Sequence, residues 1–208
     1  MYLPPHFAEA RQDELQRLIE HNPLGALVVN GPNGLDANHI PFEFGGAAGE
    51  RGILRAHVAR ANPVWKEVGD GDDVLVIFRA TEAYISPNWY PSKHEFHKQV
   101  PTWNYQVVHV HGKIRIRDDD KYVRGVVARL TRTHEAKTNA ARAWRMADAP
   151  ADYIDGMLKL IVGLEVEITR IVGKSKLSQN KEERDRLGAA EELARRGQEA
   201  IAEAMRKA

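Results

Sequence analysis

Gly173-Lys174-Ser175-Lys176-Leu177-Ser178-Gln179-Asn180 gathers two lysines with hydroxyl and amide side chains at the point where a Val/Ile-rich strand pattern gives way to a long helical one. A helix N-terminus has unpaired N–H groups and a partial positive charge, so it favours an anion. Arg55-Ala56-His57-Val58-Ala59-Arg60-Ala61-Asn62-Pro63 repeats the arrangement earlier in the chain. Side chains alternate along a strand, so Ile53, Arg55 and His57 share one face, and Leu54, Ala56 and Val58 the other. Arg60 follows in the loop, and Asn62-Pro63 reads as an N-cap followed by a first helical residue. The chemistry implied is the holding of a phosphorylated small molecule. Each segment also has a plainer reading: a capped helix beside solvated arginines, and a basic strand–helix connector.

In the second segment Asn180 is placed to cap the next helix, with Glu183 three residues on in a near capping box. Lys174 and Lys176 share a face if the strand continues, and Ser178 and Gln179 can donate hydrogen bonds. Tyr84, Trp89, Tyr90, Trp103 and Tyr105 crowd one window of a chain whose aromatic content is only 7%. Rings interleaved with Pro and Asn suit stacking on a flat ligand or lining a subunit interface.

Other chemistry is thin. His109 and His111 point to one face of a strand, but no carboxylate follows at cupin-like spacing. His94-Glu95-Phe96-His97 is one residue short of the i, i+4 metalloprotease pair, so no metal is expected. His134 reads as a half-buried helix residue. Asp118, Asp119 and Asp120 sit at a helix start, where capping and the macrodipole account for them. There is no GxSxG elbow, Walker loop or GxGxxG after a strand. No nucleophile–base pair stands out, so any reaction would be carried by a cofactor.

The chain has 208 residues, 43% hydrophobic and 28% charged, with a net charge of +1. Those values fit one soluble globular domain and exclude a global field that recruits nucleic acid or membrane. With no cysteine, disulfides and thiol chemistry are excluded, in keeping with a cytoplasmic setting. No signal peptide or membrane span is expected.

The elements that position these residues are predicted as follows. Helices cover 8–21, 63–68, 118–136, 151–158 and 181–206. Strands cover Leu24 to Asn30, Ala37 to Phe44 (Pro41 pushing it to an edge or bulge), Gly52 to Val58, Val74 to Phe78, Tyr84 to Ser86, Trp103 to Arg117 and Ile161 to Val172. Gly31-Pro32-Asn33-Gly34 is turn chemistry, and Gly45-Gly46-Ala47-Ala48-Gly49 breaks the pattern. Val74 to Phe78 reads as buried on both faces, and Pro87 to Pro101 as a loop. Regular βαβ alternation is missing, which predicts a β-barrel with peripheral helices. In the last helix Leu187, Ala190, Ala194, Gly197, Ile201 and Ala204 form a narrow small-residue stripe. Its seven basic and seven acidic residues from Lys181 to Lys207 cancel, which argues against a DNA-recognition helix.

Six ordered motifs carry a resemblance. They are Met1-Tyr2-Leu3-Pro4 with Phe7; His39-Ile40-Pro41; Gly52 through Trp65; Ala83-Tyr84-Ile85-Ser86-Pro87-Asn88-Trp89-Tyr90; Val100-Pro101-Thr102-Trp103-Asn104-Tyr105; and Gly173 through Asn180. From Met1 to about Gly188 the chain resembles the PaiB-type FMN-binding negative transcriptional regulators. The resemblance implies a mainly β fold with peripheral helices, a split β-barrel of the pyridoxamine phosphate oxidase kind. It implies a single FMN-binding domain over 1–208 with a C-terminal helix at 181–206, and a homodimer with flavin at the subunit interface. By that analogy Arg55, His57, Arg60 and Asn62 lie at the FMN phosphate, and Trp65 is a further cofactor-binding residue. Trp89, Tyr90, Trp103, Lys176, Ser178, Gln179 and Asn180 border the ribityl chain or ring. Two functions stay open: a cytoplasmic regulator with a DNA or protein partner, and an FMN-dependent oxidoreductase acting on a small molecule.

Overall fold

The computed structural model describes residues 1–46, 51–138 and 140–208. The glycine-rich break predicted at 45–49 therefore lies partly outside the described residues. The elements run β1 (Ala8–Glu9), α1 (Gln12–His21), β2 (Leu24–Gly31), β3 (Gly34–Pro41), β4 (Glu43–Gly45), β5 (Ile53–Ala59), α2 (Val64–Glu67), β6 (Asp73–Ile85), α3 (Pro91–Phe96), β7 (Thr102–Arg117), α4 (Asp120–Thr138), α5 (Ala151–Leu158), β8 (Ile161–Lys176), α6 (Glu183–Arg195) and α7 (Glu199–Arg206). Strands are hydrogen-bonded in the order β3-β2-β6-β7-β8-β5-β4, with β1 paired to β8. The registered pairs, β1–β8, β2–β3, β2–β6, β4–β5 and β5–β8, are all antiparallel. The chain forms two compact units: Met1–His21, Arg79–Val108 and Val172–Ala208 make the first, Asn22–Phe78 and His109–Ile171 the second. The long strands β6, β7 and β8 contribute residues to both.

In the second unit, β2 and β3 make a hairpin whose strands meet at Gly31↔Gly34. Pro32 and Asn33 form the turn, and Gly34 takes φ +98°, a left-handed backbone that a Cβ would oppose. Pro41 ends β3 at one end of the strand order, where its missing N–H costs no ladder bond. On the other side of β2, β6 is a single 13-residue strand, not the two short strands predicted. The polar run Arg79-Ala80-Thr81-Glu82 interrupts the apolar pattern without interrupting the strand. Val74, Val76 and Phe78 are buried while Leu75 and Ile77 are only half-buried, so this run alternates rather than burying both faces. Helix α4 buries Val123, Val126 and Leu130. Val123 packs with Ile154 and Leu158 of α5.

In the first unit, α1 begins four residues later than predicted. Pro5–Phe7 is a 3-10 turn, and Ala8 and Glu9 pair with Lys174 and Gly173. Such a short strand is set by its tertiary partner and carries no periodicity of its own. The predicted single last helix is a hairpin, α6 then α7, broken where Gly197 takes φ +77°. A core of Ile85, Tyr90, Leu177, Ala189, Ala190, Leu193, Ile201 and Met205 closes over it. The predicted Pro87–Pro101 loop contains a 3-10 turn, Pro87–Trp89, and α3. Short Pro-started turns of this kind leave too few residues for a helical period to show.

Candidate functional site

The two segments for which the sequence predicts anion binding fall in different units, and their charges are balanced differently. In the second unit, the guanidinium of Arg55 lies 3.8 Å from the Glu43 carboxylate, which also accepts from Arg129 at 2.8 and 2.7 Å. Arg60 is more fully committed. It makes a bidentate pair with Asp118 at 2.8 and 2.5 Å and donates to the carbonyls of Lys159 and Ile161. Asn62 stands one residue before Pro63, which is the N-cap of α2 in place of the predicted Asn62; its Oδ1 accepts from Val64 N–H at 3.0 Å, and its Nδ2 donates to Asn38 at 2.7 Å. Trp65 Nε1 donates to the Arg60 carbonyl, and Lys66 lies 4.9 Å from the Trp65 ring centroid. α2 has only four residues, so its aligned peptide dipoles amount to little. In this segment the cations are balanced by carboxylates from distant parts of the sequence.

His57 shares the Arg55 face and is half-buried, with Nδ1 enclosed and without a partner. Burial holds its imidazole below the ordinary histidine value. In the folded state it resists protonation, whereas the unfolded chain protonates near pH 6.5. The unfolded state then binds more protons below about pH 6.5, so stability falls as pH drops through that window. Replacing His57 with Leu should make the fall of unfolding free energy between about pH 7 and pH 5 shallower. The residual slope belongs to His109 and His111, which burial also lowers, with Arg170 adding to it. Equal slopes in urea titrations of variant and parent would contradict this role. His109 and His111 are both half-buried on β7, and His111 Nε2 lies 2.9 Å from an Arg170 amino nitrogen. That arginine is the donor, so the imidazole accepts and is neutral.

The first unit holds Trp89, Tyr90, Trp103 and the segment 176–180. β8 does continue to Lys176, so Lys174 and Lys176 share a face as predicted. Lys174 is buried and donates to the Tyr2 carbonyl at 3.1 Å. Its ammonium lies 5.6 and 5.4 Å from the ring centroids of Tyr2 and Tyr105. Lys176 donates to Thr102 Oγ1 and to the Trp103 carbonyl. Burial, then the charges of Lys174 and Lys181, lower the Lys176 ammonium below its usual range. Trp103 is exposed and meets Tyr84 edge-to-face, centroids 6.1 Å apart. Trp89 is half-buried under the guanidinium of Arg196.

Two predicted roles change here. Asn180 does not cap α6: the chain turns at 178–181, with Lys181 N–H donating to the Ser178 carbonyl, and the helix starts at Glu183. The turn consumes the residues that a capping box would need. Gln179 holds its own loop, accepting from Leu177 N–H at 2.7 Å and donating to the Ser175 carbonyl at 2.6 Å. Ser178 is buried with φ +68°, an uncommon backbone for a residue with a Cβ. Its Oγ accepts from Asn104 Nδ2 at 2.9 Å. Tyr90 is a core residue rather than a lining one, and its hydroxyl and Asn104 Oδ1 are both buried without a partner.

Sequence reasoning passed over Asn104, Ser92, Gln99, Lys181 and Asp185. One signal was available. Asn104 and Gln106 stand on the face of β7 that Val108 and Val110 continue, and all four are buried. Amides in register with a buried apolar face mark a polar network, here Asn104 with Ser178 and Gln106 with Ser175.

The antiparallel sheet with these helices has the split-barrel fold. The chain belongs to the family described as "Putative FMN-binding domain", whose model matches residues 1–170, and FMN is the cofactor that family defines. Among its relatives, the protease synthase and sporulation protein PAI 2 of Bacillus subtilis is 30% identical, covering 93% of this chain and 89% of the relative. An uncharacterized protein of Emericella nidulans is 34% identical over 90% of this chain and 88% of its own length. A solved FAD and heme binding protein from Mycobacterium smegmatis shares the fold, with TM-score 0.58 and 16% identity over 81% of this chain and 73% of that one. Among the described residues no helix is long and apolar enough to cross a membrane.

Proposed function

We propose that this chain is an FMN-dependent regulator of the PAI 2 kind, working in the cytoplasm as a homodimer of single-domain subunits with flavin between them. The observation that carries the reading is the Tyr84–Trp103 pair. Two exposed rings stand beside an ammonium, Lys176, that is tied to the Trp103 backbone. A planar, electron-poor ring with an anionic tail suits such a surface. Trp103, Trp89, Lys176, Ser178 and Asn180 would hold the flavin in this reading, with Gln179 and Tyr90 shaping the loop behind them. Arg55, His57, Arg60, Asn62 and Trp65 enter this reading through the family analogy alone, since carboxylates already balance Arg55 and Arg60. When bound, FMN supplies one- and two-electron chemistry.

The regulatory partner in this reading is a protein. The exposed cations of α6 and α7 pair with carboxylates: Arg184 with Glu95, Arg196 with Glu192, Arg206 with Glu199 and Lys207 with Glu203. That leaves little of the unpaired basic row that phosphate backbones require. The same observation favours, as second reading, an FMN oxidoreductase acting on a small molecule.

Addition of FMN followed by desalting should leave flavin absorption at about one FMN per chain, the occupancy kept when dissociation is slower than the desalting step. A colourless protein with no affinity on titration would overturn the reading. Reduction of the bound flavin by NAD(P)H would move the oxidoreductase ahead. Salt-dependent retention on a specific duplex would instead make DNA the partner.

A further inference from the structure

Lys174, Lys176 and Lys181 converge on one loop of the first unit. Their hydrogen-bond acceptors there are all neutral: the Tyr2 carbonyl for Lys174, Thr102 Oγ1 and the Trp103 carbonyl for Lys176, and Gln99 Oε1 at 2.7 Å for Lys181. Rings supply the other contacts, Tyr2 and Tyr105 for Lys174 and Tyr90 for Lys181. Among the described residues none of the three forms an ion pair, whereas Arg55 and Arg60 of the second unit both do. Lys174 is buried, and Lys176 and Lys181 are half-buried. Gathering like charges costs energy in the free protein, and the buried Asp185 carboxylate reaches Lys181 only through Gln99. Each ammonium has three donors. Lys174 and Lys181 each spend one in these bonds, and Lys176 spends two.

The loop itself is held in shape. Gln179 clamps Leu177 and Ser175, and Ser178 keeps its left-handed backbone against Asn104. The polar atoms Tyr90 Oη and Asn104 Oδ1 stand unpaired in the same region. A fixed loop with surplus cations and spare donors is built to receive a compact, doubly charged anion.

We propose that Lys176 and Lys181, backed by the buried charge of Lys174, form a phosphate-monoester site. This refines the flavin reading above by assigning the charge-bearing end of a ligand to the first unit, and it rests on that reading only for one of its two sources. The phosphate is either that of FMN or that of a separate phosphorylated molecule. The guanidinium cluster of the second unit, already neutralised by Glu43 and Asp118, does not compete for it.

The test uses the full chain, the double variant Lys176→Gln/Lys181→Gln, and the charge-keeping Lys181→Arg as a fold and rescue control. Three probes are titrated at constant ionic strength: FMN, riboflavin and inorganic phosphate. A site for the FMN phosphate predicts that the parent prefers FMN over riboflavin, and that the double variant loses about tenfold or more of that preference, 1.4 kcal/mol per tenfold. A site for a separate phosphate predicts an unchanged FMN preference and a loss of inorganic-phosphate binding of the same size. Lys181→Arg should restore most of whichever affinity is lost. If the chain binds no flavin, the flavin reading fails, and inorganic phosphate alone decides this site. Unchanged preference together with unchanged phosphate binding overturns the proposal. A double variant that does not fold is replaced by Lys181→Gln alone, with the same outcomes read at smaller size.

Discussion

Replacing Phe78 with alanine should cost about 3–5 kcal/mol of unfolding free energy, the range for deleting a buried phenyl ring. Phe78 is 1% exposed in β6 of the second unit and meets Phe42, itself buried, at 5.8 Å between centroids with the planes at 77°. The pair occupies space that Gly25 of β2 leaves open. A Cβ on Gly25 would lie 2.9 Å from Phe78 Cε1, 3.0 Å from Phe42 Cδ2 and 2.8 Å from Val76 Cγ1. The rings are therefore packed against backbone, and the strands, fixed by their ladder, cannot collapse into the hole. Phe78→Leu should lose much less, about 1.5 kcal/mol or under. Gly25→Ala should be destabilising in the parent and better tolerated in the Phe78→Leu background, because the added methyl then has somewhere to go. Urea denaturation of the four-protein cycle measures that coupling. Additive effects would mean that Gly25 and Phe78 do not share space.

The same glycine shows what sequence could convey. β2 and the turn after it were legible because the turn is written in local chemistry, Pro32-Asn33-Gly34, whereas the strand predicted over Ala37 to Phe44 is β3 over Gly34–Pro41 followed by a separate β4. Nothing local told that Gly25 sits opposite two phenyl rings. Local signals failed wherever a distant partner decided the outcome. Arg79 and Glu82 interrupt the apolar pattern of β6, yet pair with one another on its exposed side, so one strand looked like two. Ala8 and Glu9 looked helical and instead pair with β8. Gly197 reads as one more small residue of a stripe until its positive φ ends the helix.

The candidate site divides along the same line. The types and spacings of Lys174, Lys176, Ser178 and Gln179 were visible, as were Arg55 and Arg60. Which cluster keeps its charge was not, because that depends on Glu43 in another strand and on Asp118, 58 positions from Arg60. Sequence proximity made the two segments look alike; long-range pairing separates them. The Asn62 bond to Val64 N–H is local and was legible, although the cap itself falls one residue later, at Pro63. Asn180 does not cap α6, because an equally local turn at 178–181 competes for the same residues.

The loop that carries the lysines depends on one buried carboxylate, and Asp185→Ala should be the most damaging change in the first unit outside its apolar core. Asp185 is 1% exposed in the first turn of α6. It accepts from Ser92 N–H at 2.9 Å, Ser92 Oγ at 2.6 Å and Gln99 Nε2 at 3.1 Å. Gln99 in turn donates to Ser92 Oγ and accepts from Lys181. Removing the carboxylate strands a buried N–H and a buried hydroxyl on α3, at about 1–3 kcal/mol each, so the expected loss is roughly 3 kcal/mol or more. Asp185→Asn keeps the shape and one acceptor oxygen, and the Ser92 hydroxyl can rotate to accept from the new amide, so it should recover about half of that loss. The two variants separate structure from charge. If Asp185 acts only by holding α3 and Gln99 in place, Asp185→Asn retains anion affinity at the lysine loop while Asp185→Ala weakens it. If the carboxylate instead opposes the lysines electrostatically, both variants should bind inorganic phosphate more tightly than the parent. Trp89, at the start of this segment, reports unfolding through its fluorescence, and phosphate titration of the folded variants reads the second quantity. An Asp185→Ala protein as stable as the parent would show that Ser92 and Gln99 find other partners, and that the loop is held by the apolar contacts of α6 and α7 alone.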